Sequence, residues 1–520
     1  MPSRFRHLFH PSASLSINIA HIFNDSIFYL TFAPIYVNKA FIFIEIILST
    51  VNLLEGKKMA HRSQQAIKNF ASLKLMKNAD YVLLHFTDIL GFLKGRTIPA
   101  EEAENALTEG VGFDGSSIIG GVDIEESDMI MKPDPSTFTV CPYYFYDKGV
   151  VSFICNIYRP DGKQFESDPR YICQKSIEKT LREGYEPTAA AELEFYLIQK
   201  NEDGEVYPVE NHLIDKQRYF DITPSRDITE TCRMDLSNAL STMGITVERQ
   251  HHEVGSAQNE ITFKYSNPLT TSDNIIRYKF GAKAVADRKY GWIATFMPKP
   301  WFGKPGSGMH VHIGLFNPKT EENVFYDPKG YAHISQKCRY FIGGLLEHAE
   351  ALCAIVAPTV NSYKRLVPGY EAPVYVTWSK RNRSALVRVP EYFPGKEQEA
   401  RIEFRCPDPL CNPYIAYAAI FEAGLDGIRK KIDPGEPVDV NVYHLSEAKR
   451  KELGIKVLPT SLKEALKEWE SDEICIRALG KENAEKYLEL KMQEWNEYEP
   501  HMPNNKNEVT PWELQKYLYT

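Results

Sequence analysis

Gln250-His251-His252-Glu253-Val254-Gly255-Ser256-Ala257-Gln258-Asn259-Glu260-Ile261 sets two carboxylates, Glu253 and Glu260, at the ends of a short Gly- and Ser-containing segment. Two histidines precede the first and an amide pair precedes the second. No helical apolar stripe runs through the segment, so packing does not demand these residues. Two acids this close in the chain repel unless a proton or a cation sits between them. A solvated polar loop would show the same composition, because clustered polar residues commonly face water. Three other segments tip the reading towards a cation.

Ala191-Glu192-Leu193-Glu194-Phe195-Tyr196-Leu197 alternates polar and apolar residues. As a strand it places Glu192 and Glu194 on one face, with Leu193 and Phe195 on the other. Met309-His310-Val311-His312-Ile313 does the same with two histidines, behind a flexible Gly306-Ser307-Gly308. Arg401-Ile402-Glu403-Phe404-Arg405 presents Arg, Glu and Arg together. Each alone reads as a surface strand of an antiparallel sheet. If their polar faces converge with Glu253 and Glu260, the carboxylates call for hard divalent cations, Mg²⁺ or Mn²⁺, with His in one position. The arginines then want a phosphate, which a planar guanidinium binds with two parallel hydrogen bonds. Metals and arginines around a phosphate are the equipment of phosphoryl transfer. A two-metal hydrolase fits the same inventory.

The totals frame this. A chain of 520 residues is too long for one core and divides into two or three domains. With 43% hydrophobic and 25% charged residues, most of it folds. A net charge of −8 argues against nucleic-acid binding. Nine cysteines without C-x-x-C spacing fit reduced thiols in a cytoplasmic protein better than disulfides or a zinc site.

Residues 1–58 differ from the rest. Ser14 to Leu54 is rich in Ile, Phe and Leu, but Asp25, Pro34, Lys39 and Glu45 interrupt it. A membrane helix needs about 20 clean apolar residues, and no signal-peptide cleavage site follows. Glu55-Gly56-Lys57-Lys58 must be encoded by a purine-rich tract directly before the Met59 codon, as a translated bacterial ribosome-binding site would be. The expectation is an unstructured extension or a mis-assigned start, with Met59 the natural first residue and no membrane span.

From Tyr81 to Arg159 short strands such as Tyr81–Phe86 and Val150–Cys155, joined by turns such as Lys132-Pro-Asp-Pro-Ser, predict a small α+β unit. Asp168-Pro169 then opens a helix over 171–183, with Asp at the cap and Pro in the first turn. The domain boundary falls just before it, giving 59–165 and 166–520. Helices are expected over 227–243 and 272–290, and the tail after Pro437 is helical. No P-loop or Gly-x-Gly-x-x-Gly fingerprint supports a Rossmann fold. Asn361-Ser-Tyr-Lys-Arg365-Leu-Val-Pro-Gly369-Tyr-Glu371-Ala-Pro373 has the Pro and Gly of a mobile loop, and Ser379-Lys-Arg381-Asn382-Arg383-Ser384, with Arg388, is a basic cluster suited to a polyanion.

Six ordered signatures resemble type I glutamine synthetase: Phe113-Asp-Gly-Ser-Ser, Glu192-Leu-Glu, His251-His-Glu, Gly306-Ser-Gly-Met-His, the Asn361–Pro373 run, and Arg401-Ile-Glu-Phe-Arg. The resemblance spans essentially everything after Met59. It implies an α+β protein, with an N-terminal β-grasp domain and a catalytic domain whose antiparallel strands form a funnel, or partial barrel, among helices. It implies ATP-dependent ligation of ammonium to L-glutamate through γ-glutamyl phosphate. It also implies a homododecamer of two stacked hexameric rings, each site completed by a neighbour's small domain. One metal would be held by Glu194, Glu253 and Glu260, the other by Glu192, His310 and Glu403. Arg383, Arg388 and Arg405 would face phosphate groups, with Glu248 also at ATP. Arg365, Gly306 and His312 would bind substrate, and Glu371 would close a flap. Asp114 of an adjacent subunit would bind ammonium and take its proton, near Tyr219. Pro305 and Gly314 depart from many relatives, and Asp123 stands where one branch carries a regulatory Arg. Tyr443 aligns with a tyrosine that another branch modifies.

Overall fold

The computed structural model describes residues 78–210 and 218–520. The expectations for residues 1–58, and for the start of the small domain at 59–77, lie outside the described residues. The small domain is a six-stranded sheet of β1 (Tyr81–Thr87), β2 (Leu93–Pro99), β3 (Val111–Asp114), β4 (Asp128–Pro133), β5 (Thr139–Val140) and β6 (Val150–Tyr158). Its order is β2-β1-β6-β4-β3, with β5 also paired to β6. β1 and β6 run parallel and the other pairs antiparallel. This is the expected β-grasp, packed on Val82, Leu84, Phe86, Met129, Met131, Phe153 and Ile157. Lys132 and Pro133, read from sequence as linker, close β4 instead. Pro133 stands at the strand's last position, where a missing N–H costs least.

Asp168 caps the helix Pro169–Arg182 by accepting from the Arg170 N–H at 3.0 Å, and Pro169 occupies the first turn. Arg170 itself is buried. Its guanidinium donates to both Asp273 oxygens at 3.0 Å, to Asn156 Oδ1 at 2.6 Å and to Asp134 Oδ2 at 2.9 Å. One side chain thus ties two small-domain strands' ends to the helix Pro268–Val285 of the large domain.

The large domain is built on a nine-stranded sheet: β7 (Glu186–Lys200), β8 (Val206–Pro208), β9 (Val247–His252), β10 (Gln258–Phe263), β11 (Ile293–Thr295), β12 (Met309–Phe316), β13 (Tyr375–Lys380), β14 (Ala385–Val389) and β15 (Ile402–Phe404). The order β13-β14-β15-β12-β7-β10-β9, with β8 and β11 also on β7, makes the long β7 the hub of a curled, partial-barrel sheet. Its outer face packs Leu193, Phe195, Ile261, Val311, Ile313, Ile402 and Phe404 against the helices in one continuous core. The helices Glu230–Thr242 and Leu462–Glu470 fall within the expected stretches, whereas the helix expected over 272–290 begins earlier, at Pro268, behind an Asn267 cap, and runs to Val285. The last turn after Val285 is a π-helix, Ala286–Tyr290. All nine cysteines are buried and free. Among the described residues no helix is long and apolar enough to cross a membrane.

Candidate active site

The pleat gathers the chemistry on the inner face of this sheet. His310 of β12 stands opposite Glu192 of β7, and Glu403 of β15 stands opposite both His312 and Arg388. On the other side of β7, Glu260 of β10 stands opposite Glu194 and also opposite His251 of β9. Residues paired across antiparallel strands share a face, so six strands present one wall of acids, imidazoles and guanidiniums.

Glu192, His310 and Glu403 each offer a ligand atom within 4.8 Å of the others. His310 Nδ1 is 3.7 Å from Glu192 Oε2 and 3.7 Å from Glu403 Oε1. Burial, then the charge of Arg405, pushes the His310 imidazole down to about 4, leaving a neutral ring with a free lone pair. Glu403 is fully buried between Arg388 and Arg405, with Arg405 Nη1 at 2.6 Å. Burial opposes its ionisation, but the Arg405 charge holds its carboxyl at about 2. Glu192 is likewise held well below the usual range against burial, chiefly by His312 and then His310. His312 Nε2 lies 3.0 Å from Glu192 Oε1, although not aligned as a hydrogen bond, and Arg401 Nε donates to His312 Nδ1 at 3.3 Å.

A second group of ligand atoms within 4.8 Å comprises His251, Glu253 and Glu260. His251 Nε2 is 2.7 Å from Glu253 Oε1, and its Nδ1 is 3.8 Å from Glu260 Oε1. Glu194, grouped with Glu253 and Glu260 by the family resemblance, stands directly across from Glu260. Its Oε2 accepts from the Gly308 N–H at 3.0 Å and from Gln258 Nε2 at 3.2 Å. Burial and then the Glu253 charge push Glu194 up to about 8. Burial, then Glu192 and Glu253, push Glu260 well above the carboxylate range. Acids crowded to this degree hold protons that a divalent cation would displace, and carboxylate oxygens with imidazole nitrogen suit Mg²⁺ or Mn²⁺. The donor set therefore fits such ions.

The arginines and glycines close the wall. Arg365 is buried and donates to the carbonyls of Cys406 at 2.8 Å and Arg405 at 3.1 Å. A Cβ on Gly306 would lie 2.7 Å from the Pro298 carbonyl, and one on Gly308 only 2.5 Å from Arg365 Nη2 and 3.1 Å from His310 Nε2. The Gly-Ser-Gly run is therefore a close approach rather than simple flexibility. The Pro305 carbonyl accepts from Tyr196 at 2.9 Å.

The loop after Arg365 rises to Glu371, which is exposed and sits at a left-handed φ of 57°. Arg405 Nη2 donates to the Glu371 carbonyl at 3.0 Å, and Arg383 Nη1 is 3.9 Å from its carboxylate. Tyr443 donates to the carbonyl of Ala372, the next residue. Tyr219 stacks on Phe220 at 4.1 Å, and both rings meet His251 edge-on, at 5.8 and 4.8 Å. Burial and then the nearby Glu253 raise the Tyr219 phenol.

Two expected site residues make no hydrogen bond or ion pair with the wall among the described residues. Asp114, at the end of β3, is exposed and accepts from the Ser116 N–H and hydroxyl at 2.9 and 2.7 Å and from the Ser117 hydroxyl at 2.8 Å. Those bonds hold its carboxyl below the usual value. Its partners among the described residues belong to its own turn, not to the wall. Glu248 is exposed on β9 at the register shift against β10, where it is the extra residue between Val247 and Arg249 and strand alternation does not set its face. Conversely, His251 and Gln258 join the site without having been assigned a role, while Arg401, read with Arg405 as a phosphate-facing arginine, donates to His312. For His251 a signal existed: it is two residues before Glu253 and so shares its pleat.

Two family models match the chain: "Glutamine synthetase, beta-Grasp domain" over residues 78–160 and "Glutamine synthetase, catalytic domain" over residues 166–517. The chain is 47% identical over 443 residues to glutamine synthetase of Thermotoga maritima, covering 85% of this chain and 97% of that one. It is 48% identical to the Pyrococcus woesei glutamine synthetase, covering 84% and 96%, and 45% identical to that of Methanosarcina mazei, covering 86% and 96%. Among solved structures, the GmaS/ADP complex is 30% identical with a TM-score of 0.73, covering 86% of this chain and 99% of that one.

Proposed function

This chain belongs to the glutamine synthetase family, and we propose on that footing that it joins ammonium to the side-chain carboxylate of L-glutamate at the expense of ATP, giving glutamine, ADP and phosphate. The observation that carries the reading is the pair of three-ligand groups on one sheet face, with Arg388 and Arg405 converging on Glu403. Glu192, His310 and Glu403 would hold one divalent ion, and Glu253 and Glu260, with Glu194 or His251, the other. Such ions, Mg²⁺ or Mn²⁺, neutralise phosphate charge so that two anions can approach.

The remaining steps fall to side chains. A carboxylate is a poor electrophile, so the glutamate side chain must first be phosphorylated. Arg383, Arg388 and Arg405 stabilise the charge spread over the transferred phosphoryl group, and Glu248 takes a part at ATP by its place in the family pattern. Arg365, held by the Arg405 and Cys406 carbonyls, orients glutamate beside Gly306, and His312 steadies Glu192 for the same pocket. Ammonium is not nucleophilic until it loses a proton. A carboxylate must concentrate and deprotonate it, and Asp114 of a neighbouring subunit takes that part beside Tyr219. An acyl phosphate hydrolyses readily, so Glu371 closes over it and keeps water out. This assignment calls for an assembly in which a neighbour's small domain reaches the wall, since among the described residues Asp114 bonds only within its own turn; the assembly we propose is two stacked hexameric rings, a dodecamer in the cytoplasm, as the family resemblance implies.

The test is ATP- and glutamate-dependent product formation across a panel of ammonium, methylamine and polyamines. The reading expects ammonium to be the preferred acceptor. A preference for a larger amine would redirect the reading to a sibling ligase with the same metal chemistry.

A further inference from the structure

Below the turn that carries Glu253 lies a third group of close donors, Glu210, Asp227 and His252, all buried. It does not call for an ion, because Arg233 neutralises Asp227 and Arg218 sits 3.3 Å from Glu210. What it does is span the turn. Glu210 Oε1 faces His252 Nε2 and accepts from the Ala257 N–H at 3.0 Å. Glu210 Oε2 accepts from Arg218 Nη2 and from the Ile228 N–H, each at 3.3 Å. The other His252 nitrogen, Nδ1, donates to the carbonyl of Glu253 itself.

One carboxylate therefore grips both ends of the segment 253–257, whose two flanking residues on the inner face are Glu253 and, three residues beyond Ala257, Glu260. The grip is needed locally. Ala257 holds a left-handed φ of 58°, a conformation that a side chain disfavours and that persists only where surrounding bonds fix it. Its carbonyl is in turn fixed by the Leu197 N–H at 3.0 Å and by Asn259 Nδ2 at 2.8 Å. Nδ1 meets the Glu253 carbonyl and Nε2 meets Glu210 Oε1, so the ring cannot turn without losing a buried contact at each end. The same pair also sets the aromatic cover: the Phe220 N–H donates to the His252 carbonyl at 3.1 Å, fixing the Tyr219–Phe220 stack against His251.

We infer that Glu210 and His252 are a positioning pair that holds the Glu253 turn at the pitch at which Glu253 and Glu260 can share one divalent cation. This rests on the metal assignment proposed above. Neither residue touches the ion or the substrates. Partners of this kind are worth about 10–100-fold in metal affinity.

The test is calorimetric titration of Mn²⁺ into the metal-stripped full chain, with a thermal melt of each sample. The variants are Glu210→Gln, His252→Asn and, as a control in an unrelated buried network, His348→Gln. The expected result is two binding events in the wild type. In Glu210→Gln one of them is weakened about 10–100-fold and the other is unchanged. His348→Gln lowers the melting temperature but leaves both events intact. Wild-type Mn²⁺ affinities in a folded Glu210→Gln, or a weakening no greater than in the control, overturn the inference. Should Glu210→Gln not fold, His252→Asn, which keeps a donor near the Glu253 carbonyl but cannot reach Glu210, decides by the same comparison. A wild type that binds no Mn²⁺ would instead contradict the proposed function.

Discussion

Glu194 and Glu260 stand directly opposite each other on β7 and β10, two carboxyl groups on one face of the sheet. Like charges in that relation destabilise a sheet, and burial with neighbouring acids drives both groups towards protonation. The metal-free protein therefore carries an electrostatic penalty that a cation removes. Glu260→Gln should melt at or above the wild-type temperature in chelator. Added Mn²⁺ should stabilise the wild type, by about 2.7 kcal/mol at one hundred times the dissociation constant, and the variant far less. Thermal melts with and without Mn²⁺ check this. An equal gain in both proteins would remove Glu260 from the metal site.

Gly308→Ala tests the packing of the wall. The new Cβ would lie 2.5 Å from Arg365 Nη2, which is free to move only by breaking its bond to the Arg405 carbonyl. The fold should survive, because the clash is with the far end of a side chain. Catalytic efficiency towards glutamate should fall by about 100-fold, the scale of an ångström's misplacement. Steady-state kinetics beside a melting curve separates the two, and unchanged kinetics would show that Arg365 does not orient substrate.

Glu371→Ala tests the flap. Arg405 bonds the Glu371 carbonyl, not its carboxylate, so the loop's anchor remains in the variant. The side chain is exposed, and stability should change by no more than about 0.5 kcal/mol. Phosphate release should persist while glutamine yield falls, because water now reaches the acyl phosphate. Parallel phosphate and glutamine assays report the ratio, and a one-to-one ratio in the variant would clear Glu371 of any sealing role.

A pH signature is built into the helical layer. His348 Nδ1 is 2.7 Å from Asp472 Oδ2, and its Nε2 is 3.3 Å from Asp426 Oδ2. Burial opposes the imidazolium, but Asp472 and then Asp426 raise the imidazole above its ordinary 6.5. A raised folded value means the stabilisation is complete below the unfolded value and fades as pH climbs through the folded one. The stability difference between wild type and His348→Gln should thus be largest near about pH 6 and smallest near about pH 9. Urea midpoints across that range test the sign.

Much of this site was legible in the chain because strands alternate. Glu192 with Glu194, His310 with His312, and Arg401 with Glu403 each declare a shared face from spacing alone. Register is another matter, since it depends on which strand lies beside which. That Glu194 meets the Gly308 N–H while His251 joins Glu253 and Glu260 follows from pairing distant in sequence. Pro133 misled for a related reason: a proline at a strand's last residue looks like a linker unless the partner strand is known. Glu210 had no local signal, since its partners are His252, Ala257 and Arg218 and nothing near it in sequence marks a site.

The most direct test uses L-glutamate carrying ¹⁸O in its side-chain carboxylate, with ammonium, ATP and Mg²⁺, and follows the label by mass spectrometry. The account predicts labelled inorganic phosphate, one transferred oxygen for each glutamine formed, and none when ammonium, ATP or the metal is withheld. Unlabelled phosphate accompanying glutamine, or phosphate released with no glutamine at all, would contradict it.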